Sequence, residues 1–317
     1  KQYQPAYCLS FWEPSIASII NVMNAPTQLV AVASQGQIYR DNSGSERGLL
    51  MRGLHQLCVG SRGTLVPLSV LPMEGAIPQI VSLPPVVPED MSNGGYYVAY
   101  TTVPQVLYVI RKKLMSCRII LFVKEKRLKY YKRKYAKYPH VEVRPTSPDF
   151  ALYLAASKGL IATPSRGVVT QAIAAAKPVY LFCPRGHIEQ EYNLRFYLQN
   201  FAAVTAPRTR RYRRMLRLGR SGELHQGWAG ELMSLADWND SHESRADARH
   251  EQANGLIRWL SQTDQLIAKR LVPMITPTDD KLHAKPTSTP DTSTMHGAVS
   301  VENLESGAHL DPSEAAW

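Results

Sequence analysis

Two short polar segments carry the side chains that could do chemistry in this sequence. The first, Pro164–Gln171, brings small and hydroxylated residues to the start of a predicted helix. The free amides and positive dipole end of a helix start suit an anion such as a diphosphate. The second, Pro184–Asn193, places a glycine before His, Glu, Gln and Asn side chains, which offer donors and acceptors to sugar hydroxyls. Taken alone, each segment is also typical of an ordinary polar loop that caps a helix.

Both segments follow predicted strands in a chain that alternates strand and helix. Apolar and β-branched runs predict strands at Tyr96–Thr101, Arg118–Val123, Val141–Val143, Gly159–Thr163 and Val179–Cys183. Helical spacing and start signals predict helices from Pro104, over the basic Tyr-rich segment, from Ser147 to about Ser157, over Gly167–Ala176 and over Ile188–Asn200. Such alternation makes a parallel sheet with helices on both faces. Ligands of these sheets bind beyond the carboxyl ends of the strands, so the loops after Thr163 and Cys183 form the predicted site.

Composition excludes several classes of protein. With 317 residues, the chain is long enough for about two domains. Its four cysteines lie far apart with no C-x-x-C pair, which argues against a disulfide scaffold and a zinc ribbon. No apolar run approaches the roughly 18–20 residues that cross a bilayer. The chain opens on Lys1 and shows no signal segment, so we expect a cytoplasmic protein whose natural beginning is missing.

Charge is unevenly spread along the chain, which carries a net +11. Pro273–Trp317 holds two lysines against seven carboxylates and shows little apolar periodicity, so we expect a disordered acidic tail. Positive charge concentrates in Lys124–Lys137, with interleaved tyrosines, and in Arg208–Arg220. Each stretch fits an anionic membrane surface, nucleic acid or a solvated helix face, and the second also fits an inserted flexible loop. Nucleic acid is the least favoured partner because no RNP, KH or zinc-finger pattern is present.

The two polar segments occur together and in order within Gly159–Asn200, and this run resembles the nucleotide-sugar-binding half of GT-B glycosyltransferases. The resemblance is closest to the family 28 type, which includes the MurG and diacylglycerol galactosyltransferase enzymes. The matching positions are Thr170-Gln171-Ala172, Lys177-Pro178, Pro184, Gly186-His187, Glu189-Gln190 and Asn193. Upstream, Tyr7–Pro14 with Ala25-Pro26 and Gln35 resembles an acceptor-side run of one branch of that family, and Leu83–Glu89 resembles its crossing between domains.

The resemblance implies an α/β, GT-B-like fold with two Rossmann-like parallel-sheet domains, of which the N-terminal one is truncated. The expected divisions are a partial acceptor-side domain at 1–90 and a nucleotide-sugar-binding domain at 91–205. A basic loop or insertion follows at 206–227, then C-terminal helices at 228–272 that pack back across the cleft, and the acidic tail at 273–317.

The resemblance also implies a function. It predicts transfer of a sugar from a nucleoside diphosphate sugar, specifically a UDP-sugar, to an acceptor such as a lipid, with no metal and no resident cofactor. The substrate-binding residues it implies are Ser165, Arg166 and Gly167 for the diphosphate, Thr170 and Gln171 for phosphate and ribose, and Glu189 and Gln190 for the sugar. His187 is expected to contact either the sugar or a phosphate, or to be a solvated turn residue. Glu13, the acid of the acceptor-side run, is a candidate base, or simply a helix-starting residue before Pro14. The basic stretch Lys124–Lys137 predicts peripheral attachment to an anionic membrane.

Four positions depart from the family pattern and keep a second interpretation open. Ser165-Arg166 replaces a glycine pair, Gln171 replaces a glutamate that receives ribose hydroxyls, and Phe11 stands where an aspartate is usual. Gln171 can still form hydrogen bonds but brings no charge. The alternative is therefore a GT-B-like chain that binds a nucleotide sugar or a partner enzyme without catalysis.

Overall fold

A computed structural model of the chain describes residues 7–11, 19–20, 27–33, 58–59, 63–88, 94–101, 107–108, 110, 114–217, 227–241 and 245–275. Within these residues the strands form two separate parallel sheets. The first has four strands in the order β1-β2-β3-β4, with β1 at Tyr7–Ser10, β2 at Gln28–Ala33, β3 at Thr64–Ser69 and β4 at Ile77–Pro78. Its apolar side chains, such as Val30, Val66 and Ile77, are buried in one cluster.

The second sheet has seven strands in the order β11-β10-β9-β8-β5-β6-β7, and every described pairing is parallel. Its strands are β5 (Gly94–Tyr100), β6 (Arg118–Val123), β7 (Val141–Pro145), β8 (Ser157–Ala162), β9 (Val179–Leu181), β10 (Val204–Pro207) and β11 (Glu231–Met233). The chain builds outward from β5 through β6 to β7, then returns to the other side of β5 for β8 to β11. This is the doubly wound order of a Rossmann-like domain, which confirms the predicted fold class.

Helices cover both faces of the second sheet. After a short 3-10 helix at Glu125–Arg127, the described α-helices are α1 (Leu128–Tyr135), α2 (Phe150–Ala156), α3 (Arg166–Ala174), α4 (Ile188–Asn200), α5 (Arg210–Met215), α6 (Leu235–Asp240), α7 (Ala246–Leu260), α8 (Thr263–Arg270) and α9 (Val272–Ile275). Alternate strand residues face opposite layers, because successive side chains of a strand point to opposite sides. Val98 packs in the layer of α2, α3, α4 and α7, whereas Tyr97 and Ala99 pack in the layer of α1 and α6.

The elements predicted around the two polar segments occur where the sequence places them. Strand Arg118–Val123 and helix Ile188–Asn200 have the predicted bounds, and the helix predicted over Gly167–Ala176 spans Arg166–Ala174. Leu107 and Ile110, from the helix predicted after Pro104, are helical and buried, while residues 102–106 and 111–113 lie outside the described residues.

The C-terminal helices reach back to the first sheet. The indole nitrogen of Trp259 on α7 donates to the carbonyl of Ser69 at 3.1 Å, and Arg270 on α8 donates to the carbonyl of Ala76 at 2.7 Å. Leu271, which follows α8, is 6 % exposed and packs with the core residues of β2, β3 and β4. The end of the described chain therefore joins the two sheets.

The segment predicted as a basic loop or insertion at 206–227 is partly regular structure. Residues 206 and 207 end strand β10, and Arg210–Met215 forms helix α5 with Tyr212 buried beneath it. The sheet itself continues past residue 205, since β11 pairs with β10. Residues 218–226, including Arg220, lie outside the described residues, as does the predicted acidic tail 273–317 from residue 276 onward. The first three residues of that predicted tail, 273–275, are helical and belong to α9. None of the described helices combines the length and apolarity that spanning a bilayer requires.

Replacing Gly159 by Ala should destabilise the second sheet. A Cβ at Gly159 on β8 would stand 2.7 Å from the carbonyl oxygen of Pro178 and 3.3 Å from Trp238. That carbonyl is fixed because it accepts a hydrogen bond from Leu160 N at 2.9 Å. We expect a loss of about 1–3 kcal/mol in the free energy of unfolding, as for other overpacked core positions.

The matched control is Gly255→Ala within helix α7, where nothing lies within 4 Å of the added Cβ. Because Ala favours a helix interior over Gly, this variant should gain about 1 kcal/mol. Urea unfolding of both variants measures the two signs. Equal stability of the variants would contradict the packing described for Gly159.

Candidate functional site

The two polar segments lie side by side at one edge of the seven-stranded sheet. Strands β8 and β9 are adjacent and parallel, and Ala162 pairs with Leu181 at their carboxyl ends. The turn after β8 comprises residues 163–165 and leads into α3, whereas the turn after β9 comprises residues 182–187 and leads into α4. We call them the first turn and the second turn. Both helices therefore begin at the same edge of the sheet.

The first turn borders the point at which the strand order reverses. The chain leaves β5 in one direction for β6 and in the other for β8, so the switch point at which ligands of doubly wound sheets bind lies between the carboxyl ends of β5 and β8. Tyr100 and Ala162 are the last paired residues there, and Thr101 follows β5 with 6 % exposure. Our sequence analysis did not include the loop after β5 in the site. The reversal of strand order that indicates this loop is known only once the pairing of β5 with β8 is known.

Helix α3 directs the backbone amides of its first helical turn toward this edge. The first amides of a helix, here those of Arg166, Gly167 and Val168, have no carbonyl acceptor within the helix. The residue before them, Ser165, has an extended backbone and a buried hydroxyl with no hydrogen-bond partner in the described part of the chain. A Cβ at Gly167 would meet nothing within 4 Å, so the space beside the Cα of this residue is open.

The Arg166 side chain is buried rather than extended toward solvent. It is 5 % exposed, its Nε donates to Oδ1 of Asn193 at 3.1 Å, and its guanidinium lies over the rings of Phe196 and Tyr192 at 5.6 and 5.9 Å. The predicted direct contact of this side chain with a diphosphate does not fit that placement. Its positive charge nevertheless stands at the first residue of α3 and adds to the positive end of the helix dipole.

Thr170 also differs from its predicted role. Its side chain has no exposed surface, and its Oγ1 lies 3.3 Å from the hydroxyl of Tyr197 on α4. A fully enclosed hydroxyl packs α3 against α4 instead of contacting a phosphate. Gln171, the next residue, is half-buried and remains available as a hydrogen-bonding group.

The second turn is shaped by a glycine and a cap. Gly186 has a φ of +73°, a left-handed conformation that side chains rarely adopt. The exposed His187 is the cap of α4, because its Nδ1 accepts a hydrogen bond from Gln190 N at 3.4 Å. Glu189 and Gln190 are half-buried in the first helical turn of α4. His187, expected as a contact to sugar or phosphate or as a solvated turn residue, therefore caps helix α4.

The starts of α3 and α4 differ in charge, which separates what they can bind. The first helical turn of α3 has no acidic residue, whereas the first helical turn of α4 contains Glu189 and Glu191. The two carboxylates offset the positive dipole end of α4, and they repel an anion. An anion is therefore favoured at α3, and neutral hydroxyl groups that donate to carboxylates are favoured at α4.

Helix α5 holds the second turn in place, a feature that our sequence analysis missed. The Tyr212 hydroxyl accepts a hydrogen bond from the amide of Cys183 at 2.8 Å, and Arg211 donates to the carbonyl of Cys183 at 2.8 Å. The backbone N–H and C=O of Cys183 are thus both held by side chains of α5, which belongs to the Arg-rich segment. No periodicity in the sequence shows this, because the contact joins residues 28 and 29 positions apart.

Replacing Tyr212 by Phe should weaken folding and alter its pH dependence. The buried amide of Cys183 would lose its acceptor, which costs about 1–3 kcal/mol. Burial raises the pKa of Tyr212 to about 12, so between its ordinary value near 10 and that pKa the unfolded chain ionises while the folded phenol stays neutral. Stability that is present below pH ~10 is therefore lost as the pH rises toward ~12. The Tyr212→Phe variant has no phenol to ionise at this position, so it does not show this part of the loss.

Urea unfolding across that pH range measures both effects, and Tyr130→Phe is the control. Tyr130 is 51 % exposed, and its hydroxyl accepts from Lys134 at the surface. A Tyr212→Phe variant as stable as the control at neutral pH would contradict the role assigned to α5.

Other candidate features contribute less to the site. Glu13, the candidate base, lies outside the described residues. Among the described residues, no group of three or more His, Cys, Asp or Glu side chains is arranged to hold a metal ion. A small recess with Ala203, Glu231 and Arg245 in its lining lies at the amino ends of β9 to β11, the edge opposite the two turns. There Arg245 pairs with Glu231.

Comparison with known proteins identifies the fold. No protein-family model matches the sequence, and no curated protein matches it. The solved structure of the glycotransferase of kitacinnamycin has a TM-score of 0.51 to this chain at 10 % identity, over 86 % of this chain and 77 % of that one. The chain has the GT-B fold. In this GT-B chain the four-stranded and seven-stranded sheets correspond to the two parallel-sheet domains, joined by α7 and α8.

Two further structures align over similar lengths with lower scores. The glycosyltransferase SnogD from Streptomyces nogalater gives a TM-score of 0.46 at 16 % identity, over 86 % of this chain and 75 % of that chain. The spinosyn rhamnosyltransferase SpnG gives 0.48 at 11 % identity, over 83 % of this chain and 73 % of that chain.

Proposed function

We propose that this protein is a glycosyltransferase that moves a sugar from a nucleoside diphosphate sugar, specifically a UDP-sugar, to an acceptor. The observation that carries the proposal is the pairing of two helix starts at one edge of a GT-B sheet. One start is electropositive and open, and the other carries carboxylates. A nucleotide sugar presents the complementary pair of groups, an anionic diphosphate next to a neutral, hydroxyl-rich ring.

The chemistry requires charge stabilisation at the first turn. The bond between the anomeric carbon and the diphosphate oxygen breaks, and its electron pair leaves with the nucleoside diphosphate. A new bond forms from an acceptor hydroxyl oxygen to the anomeric carbon, and the hydroxyl proton passes to a base. Negative charge grows on the leaving diphosphate, where helix-end amides stabilise it without reorganisation. The nucleotide sugar is a co-substrate, so this reaction needs no resident cofactor.

Each residue of the site has a proposed part in binding. The amides of Arg166, Gly167 and Val168 receive the diphosphate, and the buried Arg166 charge strengthens the field there. The expected Ser165 amide is replaced in this role, because it donates to the carbonyl of Thr163 at 2.6 Å. Gln171 receives ribose hydroxyls as a neutral group. Glu189 and Gln190 receive the sugar hydroxyls, and His187 shapes the second turn as the cap of α4.

Calorimetric titration with UDP and several UDP-sugars tests donor binding, and a single-stranded RNA of matched charge is the control. The proposal expects saturable binding of UDP and at least one UDP-sugar and no tighter binding of the RNA. A donor-hydrolysis assay then separates the two readings of the site. Release of free sugar indicates a transferase, whereas binding without release supports the inactive alternative that Ser165, Gln171 and Phe11 suggest. On motif grounds, we propose kinship with the family 28 type.

We also propose that the enzyme works at an anionic membrane face on a lipid acceptor. The stretch Lys124–Lys137 folds as the short 3-10 helix and α1, with Tyr131 and Tyr135 buried against the sheet. The remaining surface is cationic and includes Lys129, Lys132 and Arg133, all exposed. Because Lys124 follows the carboxyl end of β6, this surface starts at the same sheet edge as the two turns.

Exchanging Lys129, Lys132 and Arg133 for Gln should reduce membrane binding. Each cation near an anionic surface contributes about 1 kcal/mol, so the triple variant should float much less with vesicles containing phosphatidylglycerol. The control replaces three exposed cations outside both basic stretches, Lys158, Arg258 and Lys269, by Gln. Equal loss in both triple variants would show that net charge alone acts. Wild-type protein that fails to float at low salt would remove the membrane proposal.

A further inference from the structure

A buried polar side chain ties the first turn to helix α4. Asn193 is 1 % exposed, and both ends of its amide are used. Its Nδ2 donates to the carbonyl of Pro164 at 3.0 Å, and its Oδ1 accepts from Arg166 Nε at 3.1 Å. Pro164 and Arg166 flank Ser165, so one side chain of the second polar segment holds both sides of the first turn.

A second contact one helical turn later supports the same tie. The Tyr197 hydroxyl, fully buried, donates to the carbonyl of Arg166 at 3.2 Å and lies 3.3 Å from Thr170 Oγ1. Because a phenol has a single proton and gives it to Arg166, the Thr170 hydroxyl donates to Tyr197. Asn193 and Tyr197 lie four residues apart on the same face of α4. Together they hold the first turn, which precedes α3, and the first helical turn of α3 itself.

We propose that Asn193 is a positioning residue that sets the geometry of the first turn and orients the Arg166 guanidinium beneath the donor diphosphate. This inference rests on the proposed function, because it assigns the diphosphate to α3. The contacts of Asn193 make the first turn and the second turn one structural unit. The spacing between the group that receives the diphosphate and the groups that receive the sugar is then fixed before the donor binds, which is how positioning lowers a barrier.

The chemistry of an amide fits this role better than that of a carboxylate. The Asn193 oxygen accepts the Arg166 hydrogen bond but carries no charge, so it orients the guanidinium without cancelling its positive charge. Aspartate has the same shape but would neutralise Arg166 and lose the donor that holds Pro164. Asn193→Ala therefore removes both hydrogen bonds and leaves the charge of Arg166 unchanged, whereas Asn193→Asp keeps the contact with Arg166 and cancels its charge.

The test combines hydrogen exchange of the ligand-free protein with titration of UDP. In Asn193→Ala we expect amides of residues 163–168 and 183–190 to exchange faster together, and UDP to bind about tenfold more weakly or worse, as for loss of a hydrogen bond to a charged group. Asn193→Asp loses the bond to Pro164 but keeps the contact with Arg166 as an ion pair, so its melting temperature should fall less than that of Asn193→Ala, yet it should lose UDP affinity at least as strongly. The control is Asn200→Ala on the same helix, whose Nδ2 donates within α4 to Phe196 O at 2.7 Å.

Each outcome bears on the inference. Unchanged exchange in both segments in a folded Asn193→Ala variant, or unchanged UDP affinity in both variants of a wild type that binds UDP, would overturn it. If the wild type does not bind UDP, the proposed function fails. In that case, faster exchange of the two segments in Asn193→Ala would still show that Asn193 ties the two turns together, but Asn193 would have no role in donor binding. A purely structural role predicts that UDP affinity falls only as melting temperature falls, and Asn193→Asp distinguishes this from positioning.

Discussion

Replacing Arg166 by Met weakens UDP binding by about 10- to 100-fold in our account, because a buried cation beside a diphosphate is worth as much as one or more charged hydrogen bonds. The side chain is 5 % exposed and stands at the first residue of α3, where its charge and the helix dipole add. Away from water such a field is less screened than at the surface. Met keeps much of the volume over Phe196 and Tyr192 while removing the charge. Titration calorimetry with UDP measures the effect.

Two variants control for net charge and for shape. Arg118→Met removes the same charge from an exposed position at the amino end of β6, the opposite edge of the sheet, and should leave UDP affinity unchanged. Arg166→Lys keeps the charge but not the planar guanidinium held by Asn193, so its effect should be intermediate. If Arg166→Met and Arg118→Met bind UDP equally well, the electrostatic role of Arg166 is wrong.

Replacing Trp238 by Ala costs about 3–5 kcal/mol of unfolding free energy, because a large buried ring leaves a cavity that the core cannot fill. Trp238 on α6 is 2 % exposed, and its ring lies 5.1 Å from that of Tyr97 on β5 and 5.3 Å from that of Tyr180 on β9. The side chain thus packs α6 against both halves of the sheet. Since whole domains are stable by about 5–15 kcal/mol, this single change is a large fraction of the total.

Chemical unfolding followed by far-ultraviolet circular dichroism measures this loss. Trp238→Phe is the matched variant, and it should lose less because it retains an aromatic ring between Tyr97 and Tyr180. A Trp238→Ala variant within 1 kcal/mol of the wild type would contradict the packing of α6, since such a loss is typical of surface positions.

Much of the fold of the second sheet is predictable from local pattern. The strand Arg118–Val123 is a continuous apolar run, as a strand buried on both faces must be, and Ile188–Asn200 follows a glycine turn. The parallel order follows from the helical connections between such strands. The site at the carboxyl ends of β8 and β9 follows in turn from the parallel order.

The parts that sequence analysis missed depend on contacts between distant residues. Nothing local shows that Tyr212 accepts from the Cys183 amide, or that Asn193 reaches Pro164, because those pairs come together only in the packed sheet edge. The burial of Thr170 is different, since a signal existed. Arg166, Val169, Thr170 and Ile173 stand at i, i+3, i+4 and i+7 and form the buried stripe of α3, so periodicity alone places Thr170 inside.

A crystal structure of the protein with UDP would show directly where the diphosphate binds. We expect the diphosphate within hydrogen-bonding distance of the amides of Arg166, Gly167 and Val168, with the end that carries the sugar directed toward Glu189 and Gln190. Diphosphate bound at another edge of the sheet, or at the start of α4 beside its two carboxylates, would contradict the account.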